Sequence, residues 1–188
     1  MQKYELVLLL SPSLQEAKRK DTISILENEI KSWILKKDEI WLKTLAYDLG
    51  DKAWNDKAYL YSYYVQLDWK NIESIKKVLL YNKAVLRYFV YKMNSSQPYF
   101  TFEELEKKIN EIISKRWDKK LWQKITFFST PGNVKYINWK SIAMLKKYVT
   151  RFGNIKPKKY TNNTVSIQKK LRRAVLRARE LGLMEYKK

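Results

Sequence analysis

From Tyr4 to Leu10 the chain is apolar at every position except Glu5, and the run stops at Ser11-Pro12. A continuous run of that length predicts a buried strand. Leu14 to Ile34 then changes period. Ile23, Leu26, Ile30 and the Trp33-Ile34 pair recur at helical spacing, which predicts an amphipathic helix. Ile40 to Leu49 is strand-like and closes at Gly50-Asp51. Tyr59, Tyr61, Tyr63, Val65 and Leu67 alternate with more polar neighbours, the period of a strand. Asn71 can cap a helix whose inner face is Ile72, Ile75 and Leu79. Ala84 to Met93, rich in aromatic and branched residues, predicts a last strand.

The order strand, helix, strand, strand, helix, strand predicts an α+β unit of the ferredoxin-like kind, βαββαβ, over residues 1–94. Its four-stranded antiparallel sheet would carry both helices on one face. This order hosts many functions and names none. The strand aromatics Tyr61, Tyr63, Phe89 and Tyr91 lack the surrounding motif of an RNA-recognition module, so they are expected to pack in the sheet. Arg87 falls within a strand, where it cannot serve a hydrolase's anion-binding loop.

Beyond Ser95 to Pro98 the pattern becomes wholly helical. Residues 102–116 carry the stripe Phe102, Leu105, Ile109 and Ile112 behind a capping box, Thr101 to Glu104. This predicts a helical linker over 95–120. Asn138 can cap a helix from Trp139 to Arg151 that turns Ile142, Leu145 and Val149 inward, with Gly153 at its left-handed end. A basic turn and a polar stretch, Thr161 to Thr164, lead to a last helix from about Val165 to Leu181, closed by Gly182. Residues 121–188 are therefore expected to form a small all-helical domain.

Charge separates the two ends. Of 188 residues, 39 are Lys or Arg and 19 Asp or Glu, for a net charge of +20. Residues 1–94 hold +4, 95–120 hold +1 and 121–188 hold +15, which argues for units with different tasks. A basic excess of this size favours a polyanion partner, nucleic acid before an anionic membrane. There is no cysteine and no histidine, so disulfides, thiol nucleophiles, Cys/His zinc sites and imidazole bases are excluded. Four scattered glycines make no phosphate loop. Neither a metal nor another cofactor is expected, and no enzyme site is indicated. No stretch approaches the roughly 18 apolar residues of a membrane span, and the opening MQKYELVLLL is too short for a signal peptide.

The cations concentrate in the last helix and the turn before it. On a helical wheel Lys169, Arg172, Arg173, Arg177 and Arg179 fall within about half the circumference. Ile167, Leu171, Ala174, Ala178 and Leu181 take the other side. With Lys170, and with Lys156, Lys158, Lys159 and Thr161 of the preceding turn, these cations are the candidate RNA-binding residues. A charged helix face is commonly just solvated, but here Glu180 alone balances the cations. An alanine-rich apolar side suits packing on protein better than insertion into lipid.

Two resemblances sharpen this reading. YELVLLLSPSL, LAYDL with its following basic loop, and YNKAVLRYFVYKM, in that order over residues 2–94, resemble bacterial small-subunit ribosomal protein six. Residues 136–186 closely resemble small-subunit ribosomal protein eighteen. They carry Ile137-Asn138-Trp139-Lys140, the turn Gly153, Ile155, Pro157, and the helix IQKKLRRAVLRARELGL, and KITFF upstream (Lys124 to Phe128) extends the likeness. The family's arginine-threonine-glycine loop reads here Lys159, Tyr160, Thr161, Asn162. The cysteines of some members are absent. The two resemblances imply a fusion of partner proteins that bind ribosomal RNA at the platform of the small subunit and stabilise its folded junction during assembly and translation.

The implied partners are small-subunit ribosomal RNA and neighbouring ribosomal proteins, with the two domains docking on each other and no membrane. The implied location is a ribosome in the bacterial cytoplasm, or an organellar one. The competing expectation is an RNA-binding translational regulator outside the ribosome.

Overall fold

The computed structural model describes residues 2–49, 56–94, 97–114, 127–130 and 132–186. They fall into two units, Met1–Tyr99 and Phe100–Lys188. The first contains β1 (Gln2–Leu10), α1 (Glu16–Ile30), β2 (Ile34–Thr44), β3 (Lys57–Leu67), α2 (Trp69–Leu80) and β4 (Val85–Lys92). The sheet order is β2-β3-β1-β4, and all pairings are antiparallel. This is the expected ferredoxin-like arrangement.

β1 lies between β3 and β4, which explains why its sequence is apolar at nearly every position from Tyr4 to Leu10: a central strand has two faces to bury. Leu6, Leu8 and Leu10 enter the core beneath the helices, where Ile23, Leu26 and Ile30 of α1 meet Ile72, Ile75 and Leu79 of α2. Tyr61, Tyr63, Val65 and Leu67 complete this core from β3. Tyr63 keeps its hydroxyl satisfied there by donating to Glu27 Oε1 at 2.9 Å. Burial first, and the Glu27 charge second, hold the Tyr63 pKa far above the ordinary phenol value. Val7 and Leu9 of β1, with Leu60 and Ser62 of β3, are buried at alternate positions. Ser62 donates to Glu5 Oε1 at 3.0 Å and shares a 3.1 Å hydrogen bond with the hydroxyl of Tyr99, whose ring stacks on Tyr64. Phe89 and Tyr91 stack on each other, so the sheet aromatics pack as expected.

The second strand departs from the sequence reading. It begins at Ile34, six residues before the expected start, and ends at Thr44. It is an edge strand, and its pairing with β3 slips twice, between Ile34 and Lys36 and between Ile40 and Leu42. Each slip leaves one extra residue, Leu35 and Trp41, and both are exposed. Bulges of this kind break the period of two, and the charged run Lys36 to Glu39 protects an open edge while looking like a loop.

The second unit contains α3 (Phe102–Ser114), α4 (Ile142–Lys147), α5 (Lys158–Thr161) and α6 (Val165–Glu180), with a turn of 3-10 helix at Asn133–Tyr136. The capping box forms as expected: Thr101 N–H donates to Glu104 Oε2 at 3.1 Å, and Glu104 N–H to Thr101 Oγ1 at 3.3 Å. The expected helix from Trp139 to Arg151 shrinks to α4. Val149 pairs with Ile155 in an antiparallel bridge, Thr150 N–H donates to Asn154 O at 2.7 Å, and Gly153 turns the corner at φ 79°. The β-branched pair Val149-Thr150 favours that extended pairing over another helical turn. Trp139, Leu145, Tyr148, Phe128, Leu171 and Val175 are buried in this unit. Tyr148 accepts the Phe128 N–H at 2.9 Å while stacking on its ring.

Candidate nucleic-acid interface

The orientation of α6 follows from its ends and its stripe. Thr164 caps the first turn, its side chain accepting from Ile167 N–H at 3.4 Å. At the other end Gly182 takes φ 72°, Leu183 N–H reaches Ala178 O and Gly182 N–H reaches Arg179 O, the paired bonds of a glycine-terminated helix. Between them Ile167, Leu171, Ala174, Val175 and Ala178 are buried. Outside, beside the exposed Val165, Ser166 and Leu176, stands a group of cations. Lys169, Lys170, Arg172 and Arg173 are exposed and Arg177 is half-buried. On a wheel these five cover about 160° of the circumference, and Lys169, Arg173 and Arg177 stand in one row about 6 Å apart along the axis.

Little on the helix balances this row: the one acid of α6 is Glu180, at its C-terminal end. No acid stands between Asp118 and Glu180 in the sequence. Lys169, Lys170, Arg172 and Arg173 have no acidic partner among the described residues, whereas Lys20 and Lys37 of the first unit pair with Glu16, Glu27 and Glu39. A face that places like charges at helical neighbours without counter-ions is destabilised by it, and a polyanion relieves that repulsion.

The turn ahead of α6 contributes unevenly. Lys158 and Lys159 are exposed on α5. Lys156 is half-buried and donates from Nζ to Lys147 O at 2.9 Å. Thr161 is fully buried, with Oγ1 donating to Pro157 O at 3.4 Å. Asn162, in the left-handed region at φ 55°, turns the chain toward α6. The sequence pattern groups Thr161 and Arg179 with the outward residues, and the structure turns both inward. Arg179 is 7% exposed; its Nε donates to Glu185 O at 2.9 Å and its Nη2 to Gly153 O. Burial draws its pKa below the ordinary guanidinium value, with Tyr186 acting in the opposite sense. Its place on the wheel borders the apolar stripe, and the two backbone carbonyls hold it on the inner side.

Lys146, Lys147 and Arg151 are also exposed cations of this unit. The sequence pattern assigns them to a regular helix, which hides their role. Their signal is the same acid-free stretch. Among the described residues no group of three or more metal-binding side chains occurs, and no helix is long and apolar enough to cross a membrane.

Comparison with known proteins decides the family. Residues 133–184 match the family model of ribosomal protein S18, and residues 3–92 that of ribosomal protein S6. Over 64 residues the chain is 36% identical to small ribosomal subunit protein bS18 of Mycoplasma capricolum subsp. capricolum, which covers 34% of this chain and 84% of that protein. The bS18 of Thermoanaerobacter sp. (strain X514) is 34% identical over 77 residues, 41% of this chain and 86% of that protein. The chain belongs to the S18 family, fused behind an S6 segment. A crystal structure of 30S ribosomal protein S6 from Thermotoga maritima is 16% identical, with a TM-score of 0.45 over 60% of this chain and 97% of that one. The S18 match embraces α4, α5 and α6, so every candidate RNA-binding residue lies inside it.

Proposed function

We propose that this S6–S18 fusion is a structural constituent of the small ribosomal subunit that binds ribosomal RNA and holds a folded junction of it at the platform. The observation that carries the reading is the cationic face of α6, where Lys169, Lys170, Arg172 and Arg173 have no acidic partner among the described residues, in the segment matched by the S18 family. Lys158, Lys159, Lys169, Lys170, Arg172, Arg173 and Arg177 are the proposed phosphate contacts. Each neutralised phosphate releases counter-ions, so affinity should fall steeply with salt. The S6 segment contributes a rigid sheet rather than charge. No catalytic step is called for, and the likeness to bacterial bS18 proteins supports a bacterial ribosome as the working location. Sedimentation of a lysate through a sucrose gradient tests this: the chain should travel with small subunits and full ribosomes. A chain that stays mainly at the top of the gradient, bound to messenger RNA or to nothing, would instead support a translational regulator.

A further inference from the structure

Among the exposed aromatic residues of the second unit, Tyr160 combines exposure with a fixed frame. Its side chain is 61% exposed. A single exposed aromatic needs no explanation of its own; what distinguishes this one is how it is held and what surrounds it. Tyr160 N–H donates to Pro157 O at 3.0 Å, and Asn162 N–H donates to Lys158 O at 2.8 Å. The next residue, Thr161, is anchored at 0% exposure. The backbone of α5 is thus pinned on both sides of the ring, and a tyrosine has only two torsions left to order on binding. Among the described residues the ring has no stacking or cation–π partner. Its chain neighbours Lys158 and Lys159 are exposed, and α6 with Lys169 follows after one turn.

We propose that Tyr160 is a stacking platform for one unpaired RNA base, with Lys158, Lys159 and Lys169 holding the phosphates on either side of that nucleotide. This rests on the RNA-binding reading above and adds what the cations cannot supply. Phosphate contacts fix the position of the RNA but do not touch the face of a base. An exposed ring in a cationic, acid-free setting accepts the face of a base only where that base is unstacked, in a loop, bulge or single strand. The α6 row and Tyr160 therefore divide the work: the row supplies salt-dependent affinity, the ring selects an unpaired nucleotide.

The test uses the full chain with two probes, an oligo(A) single strand and an RNA duplex of equal length, followed by fluorescence anisotropy. Tyr160→Leu should weaken the single strand about 5- to 150-fold, the range of one base–aromatic stack. It should leave the duplex within about twofold and the salt slope for both unchanged, since every phosphate keeps its cation. Tyr160→Phe and Tyr160→Trp should restore binding. On the unaltered protein, a single strand carrying 4-thiouridine should cross-link to the peptide containing Tyr160. Equal weakening on both probes, no weakening on either, or cross-links that avoid that peptide would overturn the proposal while leaving the ribosomal reading in place. If the unaltered chain binds neither probe, both readings fall.

Discussion

The guanidinium of Arg179 donates from Nη2 to the carbonyl oxygen of Gly153, 26 residues earlier, and from Nε to Glu185 O. One side chain thus ties the tip of the Tyr148–Lys156 hairpin and the segment after α6 to the helix between them. Arg173, six residues earlier, is exposed and makes no hydrogen bond to either.

The pair should separate fold from function. Arg179→Met keeps the apolar stem and leaves two backbone acceptors without their donor, which should cost about 2 kcal/mol of stability. Arg173→Ala should change stability by no more than about 0.5 kcal/mol and weaken RNA binding. Thermal unfolding and RNA titration of both variants give the four numbers. If Arg179→Met lowered RNA affinity with no change in stability, the inward placement of that side chain would be refuted.

The outward row should act through counter-ions. Replacing Arg172, Arg173 and Arg177 together with Ala should reduce the slope of log K against log salt by roughly 0.9 for each phosphate no longer neutralised on duplex-like RNA. Lys57→Ala in the first unit should change the slope less, because residues 1–94 carry an excess of only +4. A slope unmoved by the triple change would mean the row faces solvent in the complex.

These two predictions rest on features the sequence showed unequally. The order of strands and helices was legible because β1, β3 and the two helices each bury a full periodic stripe, from Leu6-Leu8-Leu10 to Ile72-Ile75-Leu79. The bounds of β2 were not, because two bulges and a run of edge charges hide a strand's alternation. The exposed arginines of α6 were legible from their spacing, whereas Arg179 was not. Its inward turn depends on Gly153 and Glu185, partners supplied by tertiary structure. The same holds for the end of α4, where a bridge from Val149 to Ile155 interrupts a pattern that reads as continuous helix.

The capping box offers a local check on the second unit. Thr101→Ala should destabilise α3 by about 1 kcal/mol, and Glu104→Ala should do so through the reciprocal bond. The two effects should not add, because each change removes the geometry that the other bond needs. Amide exchange at residues 101 and 104 reports the effect directly. Additive effects would show that the two bonds in the box act independently.

Lys37 predicts a pH effect. Its Nζ lies 2.6 Å from both Glu27 Oε1 and Glu39 Oε1. Burial lowers its pKa, but hydrogen bonds to Glu27 and Glu39 and their charges outweigh that and raise it above the ordinary 10.5. A raised lysine contributes stability below its unfolded pKa and loses it as pH climbs through the folded one. Lys37→Met should therefore cost about 0.5 kcal/mol near neutral pH, after solvent screening, and the gap to the unaltered chain should close above pH 10.5. Denaturant unfolding at neutral pH and at a pH above that value measures it; a gap of constant size would mean the ion pairs contribute nothing.

Fusion itself should change how RNA binding depends on concentration. Two separate proteins must each find the RNA, and each loses translational freedom on binding. When both segments share one chain, the second binding event becomes intramolecular, with an effective concentration that reaches the millimolar range for a short connector. The intact chain should thus titrate RNA as a single event. A chain divided between residues 94 and 97, with both halves present, should bind RNA with an apparent affinity that depends on the concentration of the second half. At saturating concentrations it should return to nearly the intact value, because the cations of α6 are unchanged. If the divided pair matches the intact chain even at high dilution, the connection contributes nothing to binding. If affinity never recovers, residues around the division touch the RNA themselves, and the cationic face of α6 is only part of the interface.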